Sequence, residues 1–260
     1  MRAPHDGRPG RNALWFDEAV TATGSVVLLH GVQSSRSTWW RVEQDLSDLG
    51  WDVHALDLLG HGSRTYAGTA DLTLDDLARD VWEQVPQPVD LVVGHSLGAV
   101  VALAVARLKV NRCGRVVIED PPGLAGSLDP RDEAANVERS VRAARDDPAG
   151  TIETLLAENR LWSRVDAEKV VESRRVLDLD TVGRFLRTNR WDLQALVAEC
   201  PVPVRLLAAT DNTALIDPDR TALFEALPPP DSVVISSGHS IHRDRPALWL
   251  QHVLRFADAG

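Results

Sequence analysis

Six short apolar runs, set between longer amphipathic stretches, limit how this chain can fold. The runs are Ser25–Leu29, Val53–Leu56, Val89–Val93, Arg115–Glu119, Val204–Ala208 and Ser232–Ser236, each of strand length and mostly apolar along both faces. The intervening periodicity predicts helices over 37–49, 73–85, 97–108 and 218–227, and a last one beginning at Pro246. Thr73 suits an N-cap, Pro86 and Pro88 end the helix it opens, and Pro246 suits a first helical position. Strands buried on both faces and separated by helices require a parallel sheet covered on two sides. The expected fold class is therefore α/β, a doubly wound, mostly parallel sheet.

One segment breaks the alternation. Residues 121–190 contain no convincing strand; they predict a charged helix from Asp129-Pro130 to about Arg145, another over 151–162, and one or two more within 166–187. The expectation is a core of 1–120 and 191–260, with a helical cap of 121–190 over the C-terminal edge of the sheet. At 260 residues such a chain can bury a large core without a disulfide or a metal.

Composition excludes several partners. With 28 Lys+Arg against 38 Asp+Glu, the net charge is −10, the wrong sign for a phosphate-binding surface. Only Lys109 and Lys169 are lysines, and this Arg and Ala bias reads as coding from a GC-rich bacterial genome. Cys113 and Cys200 are too few and too far apart for a disulfide framework or a zinc site, and fit reduced thiols. The polar start, MRAPHDGRPGRN, lacks the apolar core of a secretory signal. The longest apolar stretch, Ala99–Ala106, is far short of the roughly 20 residues that span a bilayer. A cytoplasmic location follows as the expectation, with no membrane or nucleic-acid partner; a homodimer is allowed.

The chemistry concentrates in Leu91–Gly98, LVVGHSLG. Gly94-His95-Ser96-Leu97-Gly98 is a G-x-S-x-G placed between a predicted strand and a predicted helix, the context in which that motif makes a nucleophile elbow. The serine sits on a strained turn, and the flanking glycines remove Cβ atoms that would clash there. The N-terminus of the following helix favours developing negative charge.

A serine hydroxyl needs a base. Of eight histidines, His5 lies in the N-terminal segment, His54 in a strand and His252 in the last helix, while His95 neighbours Ser96 within the elbow. His30 and His61, in HG and GHG loops, are expected to brace those loops by hydrogen bonding. That leaves SSGHSIHRDRP, after the last strand. His239, on a Gly238 turn, is the expected base, and His242 is assigned to the rim. For the carboxylate that orients the base, Asp211 follows the fifth strand and Glu119 ends the fourth. Either keeps the chain order Ser, acid, His, and Asp211 is preferred. Asp120 and Asp217 are read as loop or helix-cap residues. The oxyanion donors should be the backbone N–H groups of Leu97 and of Val32, after His30-Gly31.

Together LLHG at 28–31, DLLGHG at 57–62, GHSLGA at 94–99 and GHSIHRDRP at 238–246 resemble the α/β-hydrolase superfamily, and most closely its capped, cofactor-free serine hydrolases of esters and lactones. The resemblance covers the chain outside residues 1–12. It implies Ser96 as nucleophile, His239 as base, the amides of Val32 and Leu97 as oxyanion hole, and no cofactor or metal. A serine at the elbow departs from the dehalogenases and epoxide hydrolases of that fold, which use aspartate. Many relatives carry Gly-x-x-Asp after the penultimate strand, where this chain has Ala208-Ala209-Thr210-Asp211; a minority place the acid where Glu119 stands.

The expected substrate is a small apolar ester or lactone. Eight tryptophans against one tyrosine and four phenylalanines form a skewed aromatic set; Trp39, Trp162 and Trp191 are candidates to line an apolar pocket. Arg139, Arg142 and Arg145, beside Asp146 and Asp147, read as a solvated face, and no basic residue is assigned to a substrate carboxylate. The same machinery also serves carbon–carbon hydrolases, lyases and perhydrolases, and a non-catalytic relative would keep the pocket for binding alone.

Overall fold

In the computed structural model the described residues are 23–68, 70–85, 87–123 and 130–259. The N-terminal segment, His5 and Pro86 lie outside them.

The six expected strands form: β1 (Ser25–Leu29), β2 (Asp52–Leu56), β3 (Val89–His95), β4 (Cys113–Glu119), β5 (Val204–Ala209) and β6 (Ser232–Ile235). They make one sheet in the order β2-β1-β3-β4-β5-β6, every pairing parallel. β3 and β4 are longer than their apolar runs suggest, and their register pairs His95 with Glu119 at the C-terminal edge. That edge is where an open α/β sheet presents its site.

Helices α1 (Trp40–Asp48), α2 (Leu74–Gln84) and α3 (Leu97–Leu108) follow β1, β2 and β3. The expected first helix opens as a tight 3-10 turn over Arg36–Trp39 before becoming α-helical. Thr73 caps α2 as expected, in a reciprocal capping box with Asp76. α3 is apolar almost all round, and its residues from Leu97 to Ala106 are buried, which makes it the central helix of the protein. After β5 come α9 (Asp219–Ala226) and, beyond β6, a short α10 (Ile241–Asp244) and then α11, which opens at Pro246 as expected and ends at Ala257. One apolar layer carries α2 and α3 against Val27, Leu29, Val92 and Ile118. The other carries α1 and α11 against Val26, Leu28, Leu91 and Val93. The sheet is thus covered on both faces.

Five helices lie between β4 and β5: α4 (Pro130–Asp146), α5 (Pro148–Glu158), α6 (Arg164–Val176), α7 (Leu179–Thr188) and α8 (Leu193–Ala198). Part of this insertion has its own small core, in which Ala144, Leu155, Ala167, Val170 and Val171 pack together. Val137, Val141, Val182 and Phe185 instead join the core of the sheet, so the insertion is anchored rather than tethered.

The junction of β3 and α3 is the tightest point. A Cβ on Gly98 would collide with the carbonyl of Leu29 on β1, and one on Gly94 with the carbonyl of Gly98. These contacts are with backbone, which has nowhere to go. We expect Gly98→Ala to lower the thermal midpoint by about 5 °C or more, an overpacking penalty of roughly 3 kcal/mol spread over a chain of this size. Thermal unfolding of the purified variant checks it.

Candidate active site

Ser96 sits between β3 and α3 with φ 54° and ψ −121°, a left-handed conformation that costs energy in any residue but glycine. Asp120 occupies the corresponding place one strand over, directly after β4, and is also left-handed at φ 41°. The two kinks are coupled through the ladder: the Ser96 N–H donates to the carbonyl of Glu119 at 2.9 Å. Backbone strain of this kind concentrates at functional sites.

The kink swings Asp120 toward the loop after β6. Its Oδ2 accepts from His239 Nδ1 at 2.6 Å and from the Ala214 N–H at 2.8 Å. Its Oδ1 accepts from the Thr213 hydroxyl at 2.6 Å and the Ala209 N–H at 3.2 Å. The carboxylate is fully buried and saturated with donors. Because Nδ1 donates to Asp120, Nε2 of His239 is left as the free basic position of the ring. His239 and Ser96 line one cavity of about 640 Å³. They make no direct hydrogen bond, a contact that such sites often tighten only around the reacting substrate.

The carboxylate expected to orient His239 is therefore corrected. Asp211 is exposed, and its side chain meets the Thr210 hydroxyl at 3.2 Å; the β5 loop instead feeds backbone and hydroxyl donors to Asp120. Glu119 faces the opposite layer. Its Oε1 accepts from His242 Nδ1 at 2.8 Å and the His242 N–H at 3.1 Å, and its Oε2 from Trp249 Nε1 at 2.9 Å. His242, assigned to the rim, is buried in that network with its ring 4.1 Å from Trp39. Trp39 belongs to the same packing, its ring tilted against Trp249 at 5.8 Å, and does not line the cavity, contrary to the expected substrate role. Trp162 and Trp191 do line it.

Val32 and Leu97 both border the cavity beside Ser96. Leu97 opens α3, so its N–H has no acceptor within the helix. The loop holding Val32 is braced by the two histidines expected to do so. His30 Nε2 accepts from the Leu58 N–H at 3.1 Å, which puts the ring proton on Nδ1, aimed at the Gly31 carbonyl at 2.8 Å. His61 Nε2 lies 2.8 Å from the carbonyl of Val32 and its Nδ1 3.1 Å from that of Leu59. Burial holds His30 neutral, with a pKa pushed down to about 3, reinforced by His61. Burial also lowers His61, His95 and His242.

Three arginines, Arg174, Arg190 and Arg243, enter the site unannounced by the sequence. Arg243, in α10, is buried and lines the cavity, with Nη2 3.1 Å from the Ser34 hydroxyl. Arg174, in α6, lines it from the insertion. Residues of the insertion and of the sheet loops thus share one cavity wall, which mixes apolar side chains with charged ones.

The geometry has parallels among known proteins. The model of a family described as "Alpha/beta hydrolase family" matches residues 26–251, and the chain belongs to that family. Over 98 residues it is 35% identical to the lipase LipV of Mycobacterium tuberculosis, a match covering 37% of this chain and 36% of the lipase. It is 25% identical over 233 residues to the 2-succinyl-6-hydroxy-2,4-cyclohexadiene-1-carboxylate synthase of Citrobacter koseri, covering 85% of this chain and 89% of that one. The crystal structure of an E-2-(acetamidomethylene)succinate hydrolase superposes with a TM-score of 0.74 at 19% identity, covering 92% of each chain. The fold and the superfamily expected from the sequence are those found, and by family the protein is a hydrolase. Among the described residues no helix is long and apolar enough to cross a membrane.

The buried histidines set a pH dependence of stability. His30 titrates near 3 when folded and near the ordinary 6.5 when unfolded, so below 6.5 the unfolded chain takes up the proton first. Stability is complete above that value and falls as pH drops from 6.5 toward 3. At pH 5 this amounts to about 2 kcal/mol for His30, and the other buried histidines act in the same direction. Thermal unfolding at pH 7 and pH 5 should show the midpoint falling by about 4 °C or more.

Proposed function

We propose that this protein cleaves a carboxylic ester or lactone through an acyl-enzyme on Ser96. The observation that carries the reading is the Asp120–His239 pair, short and buried at its carboxylate end, opening into the cavity that the strained Ser96 also faces. Ser96 Oγ attacks the acyl carbonyl while His239 Nε2 takes its proton. The tetrahedral oxyanion is met by the N–H groups of Val32 and Leu97, and collapse expels the alcohol, which recovers the proton from His239. A water activated by the same ring then releases the acid. Asp120 fixes the imidazole tautomer and stabilises the imidazolium formed in each half-reaction. Residues 121–190 act as a cap, with Trp162 and Trp191 on the acyl or alcohol portion, over a core of 1–120 and 191–260. The substrate is a small molecule.

A second reading keeps the same residues and changes the bond, to carbon–carbon cleavage or elimination. Its support is the Citrobacter koseri relative, matched over most of both chains, whose name is that of a synthase. Fold alone does not separate the two reactions.

Labelling with a serine-directed fluorophosphonate should modify the wild type, and Ser96→Ala should abolish both labelling and turnover across a panel of p-nitrophenyl esters and lactones. Asp120→Asn should lower kcat by about 10³–10⁴-fold through loss of the correct tautomer. Asp211→Asn should change it by less than about threefold, as befits an exposed side chain that meets the Thr210 hydroxyl and not the ring. Labelling that survives Ser96→Ala overturns the reading.

A further inference from the structure

The cavity wall around Trp162 carries unusual charge. Arg243 is only 5% exposed, yet no carboxylate lies within ion-pair distance of it among the described residues. Its recorded hydrogen bonds go to two neutral hydroxyls, Ser34 at 3.1 Å and Ser240 at 3.4 Å, and its Nε, wholly buried, has no partner. The guanidinium lies over the Trp162 ring at 4.9 Å, and Trp162, Ser34 and Ser240 all face the same cavity. Arg174 approaches from α6. Its Nε is likewise buried and unpartnered, and it is close enough to Arg243 for the two charges to repel. Burial lowers the pKa of both; that of Arg243 falls to about 10, which still leaves it charged at neutral pH.

Asp166, Glu119 and Asp244 offset the charge of Arg243, and Glu158 that of Arg174, through space and not by ion-pair contact, which leaves buried guanidinium N–H groups unpaired, a costly state that a bound anion would relieve. Two guanidinium forks converging on a cavity suit an oxyanion, which each can grip through paired N–H donors. The ionisable lining also counts. Arg174, Arg190 and Arg243 stand against Glu133 and Glu158, leaving a surplus of one positive charge. A single carboxylate matches that surplus, where a phosphate dianion would exceed it.

We propose that Arg243 and Arg174 form a carboxylate-binding subsite, so that the substrate cleaved at Ser96 is a monoanion carrying a free carboxylate away from the scissile bond. The proposal rests on the Ser96 reading for the word substrate, and on the cavity alone for the anion. It also replaces the expectation of a purely apolar substrate with an amphipathic one, its chain against Trp162 and Trp191 and its charge on the arginines. Arg243 and Arg174 line the same cavity as His95 and Ser96, so the anion subsite and the elbow share one space.

The test uses the full chain carrying Ser96→Ala, which cannot turn over, and measures by calorimetry the binding of the monomethyl esters of succinate, glutarate and adipate against their neutral dimethyl esters. At least one monoester is expected to bind tenfold or more tighter than its dimethyl counterpart. That preference should fall below about twofold when Arg243→Gln or Arg174→Gln is added, and be partly kept by Arg243→Lys. Because Arg243 is buried, the Arg174 variant provides the answer should the other fail to fold. A role confined to tethering the loops would weaken both esters alike and leave their ratio intact. Equal binding of charged and neutral esters, or a preference that neither arginine variant reduces, overturns the proposal. Failure of the Ser96 reading shows separately, as absent fluorophosphonate labelling of the wild type while the charge preference persists.

Discussion

The site depends on how closely the first turn of α3 can approach the end of β1. Gly98 lies against the Leu29 carbonyl with no room for a side chain, and Gly94 lies as close to the backbone of the same turn. Only at that separation can the chain leave β3, reverse through a left-handed Ser96 and enter a helix within a single residue. The strain is held in place by the burial around it: α3 is enclosed by the sheet, α2 and α8, so the elbow cannot relax without unpacking the centre of the protein. Placing the hydroxyl is therefore a consequence of packing, and the local hydrogen bonds only refine it.

Around that point the fold sets two histidine–carboxylate pairs on opposite sides of one strand end. Glu119 and Asp120 are consecutive, and the kink at Asp120 sends them apart. Asp120 meets His239 at the cavity, while Glu119 meets His242 and Trp249 inside the layer formed by α1, α10 and α11. His95 stands between the two imidazoles, its ring 4.5 Å from His239 and 5.0 Å from His242, with Nε2 3.1 Å from the His239 carbonyl. The stretch from His239 to His242 is thus pinned at both ends by the two consecutive carboxylates at the end of β4. That accounts for a buried glutamate, costly unless its oxygens are satisfied, so near the site. Its work is to hold the loop.

Much of this was legible in the residues. Apolar runs reported the sheet because a doubly covered strand shows no alternation, and the elbow was legible because its glycines answer a steric demand that a sequence displays directly. Thr73 and Pro246 marked helix starts for equally local reasons. The acid was not legible: Asp211, Glu119 and Asp120 all sit near strand ends, and the choice among them turns on one backbone dihedral at Asp120. Trp39 and Trp162 look alike as letters, yet one is sealed beneath α11 and the other faces the cavity. Arg243 was hidden by its neighbours, since nothing in the polar run HRDR marks one arginine as buried. It is buried only because α10 folds inward against the Glu119 network.

Pairing His239 with a carboxylate directly after β4 has an architectural consequence. Ser96 and Asp120 now issue from hydrogen-bonded neighbours, so the spacing between them is set by a single rung of the parallel ladder. The segment after β5 is released from supplying a side chain to the imidazole. It contributes only main-chain and hydroxyl donors, from Ala209, Thr213 and Ala214, while Asn212 and Ile216 from the same segment border the cavity. Such a segment can vary in sequence without disturbing the Asp120–His239 pair, provided its backbone course survives. The cavity wall can therefore drift there, and in the inserted helices, while Ser96 and Asp120 stay locked to the middle of the sheet.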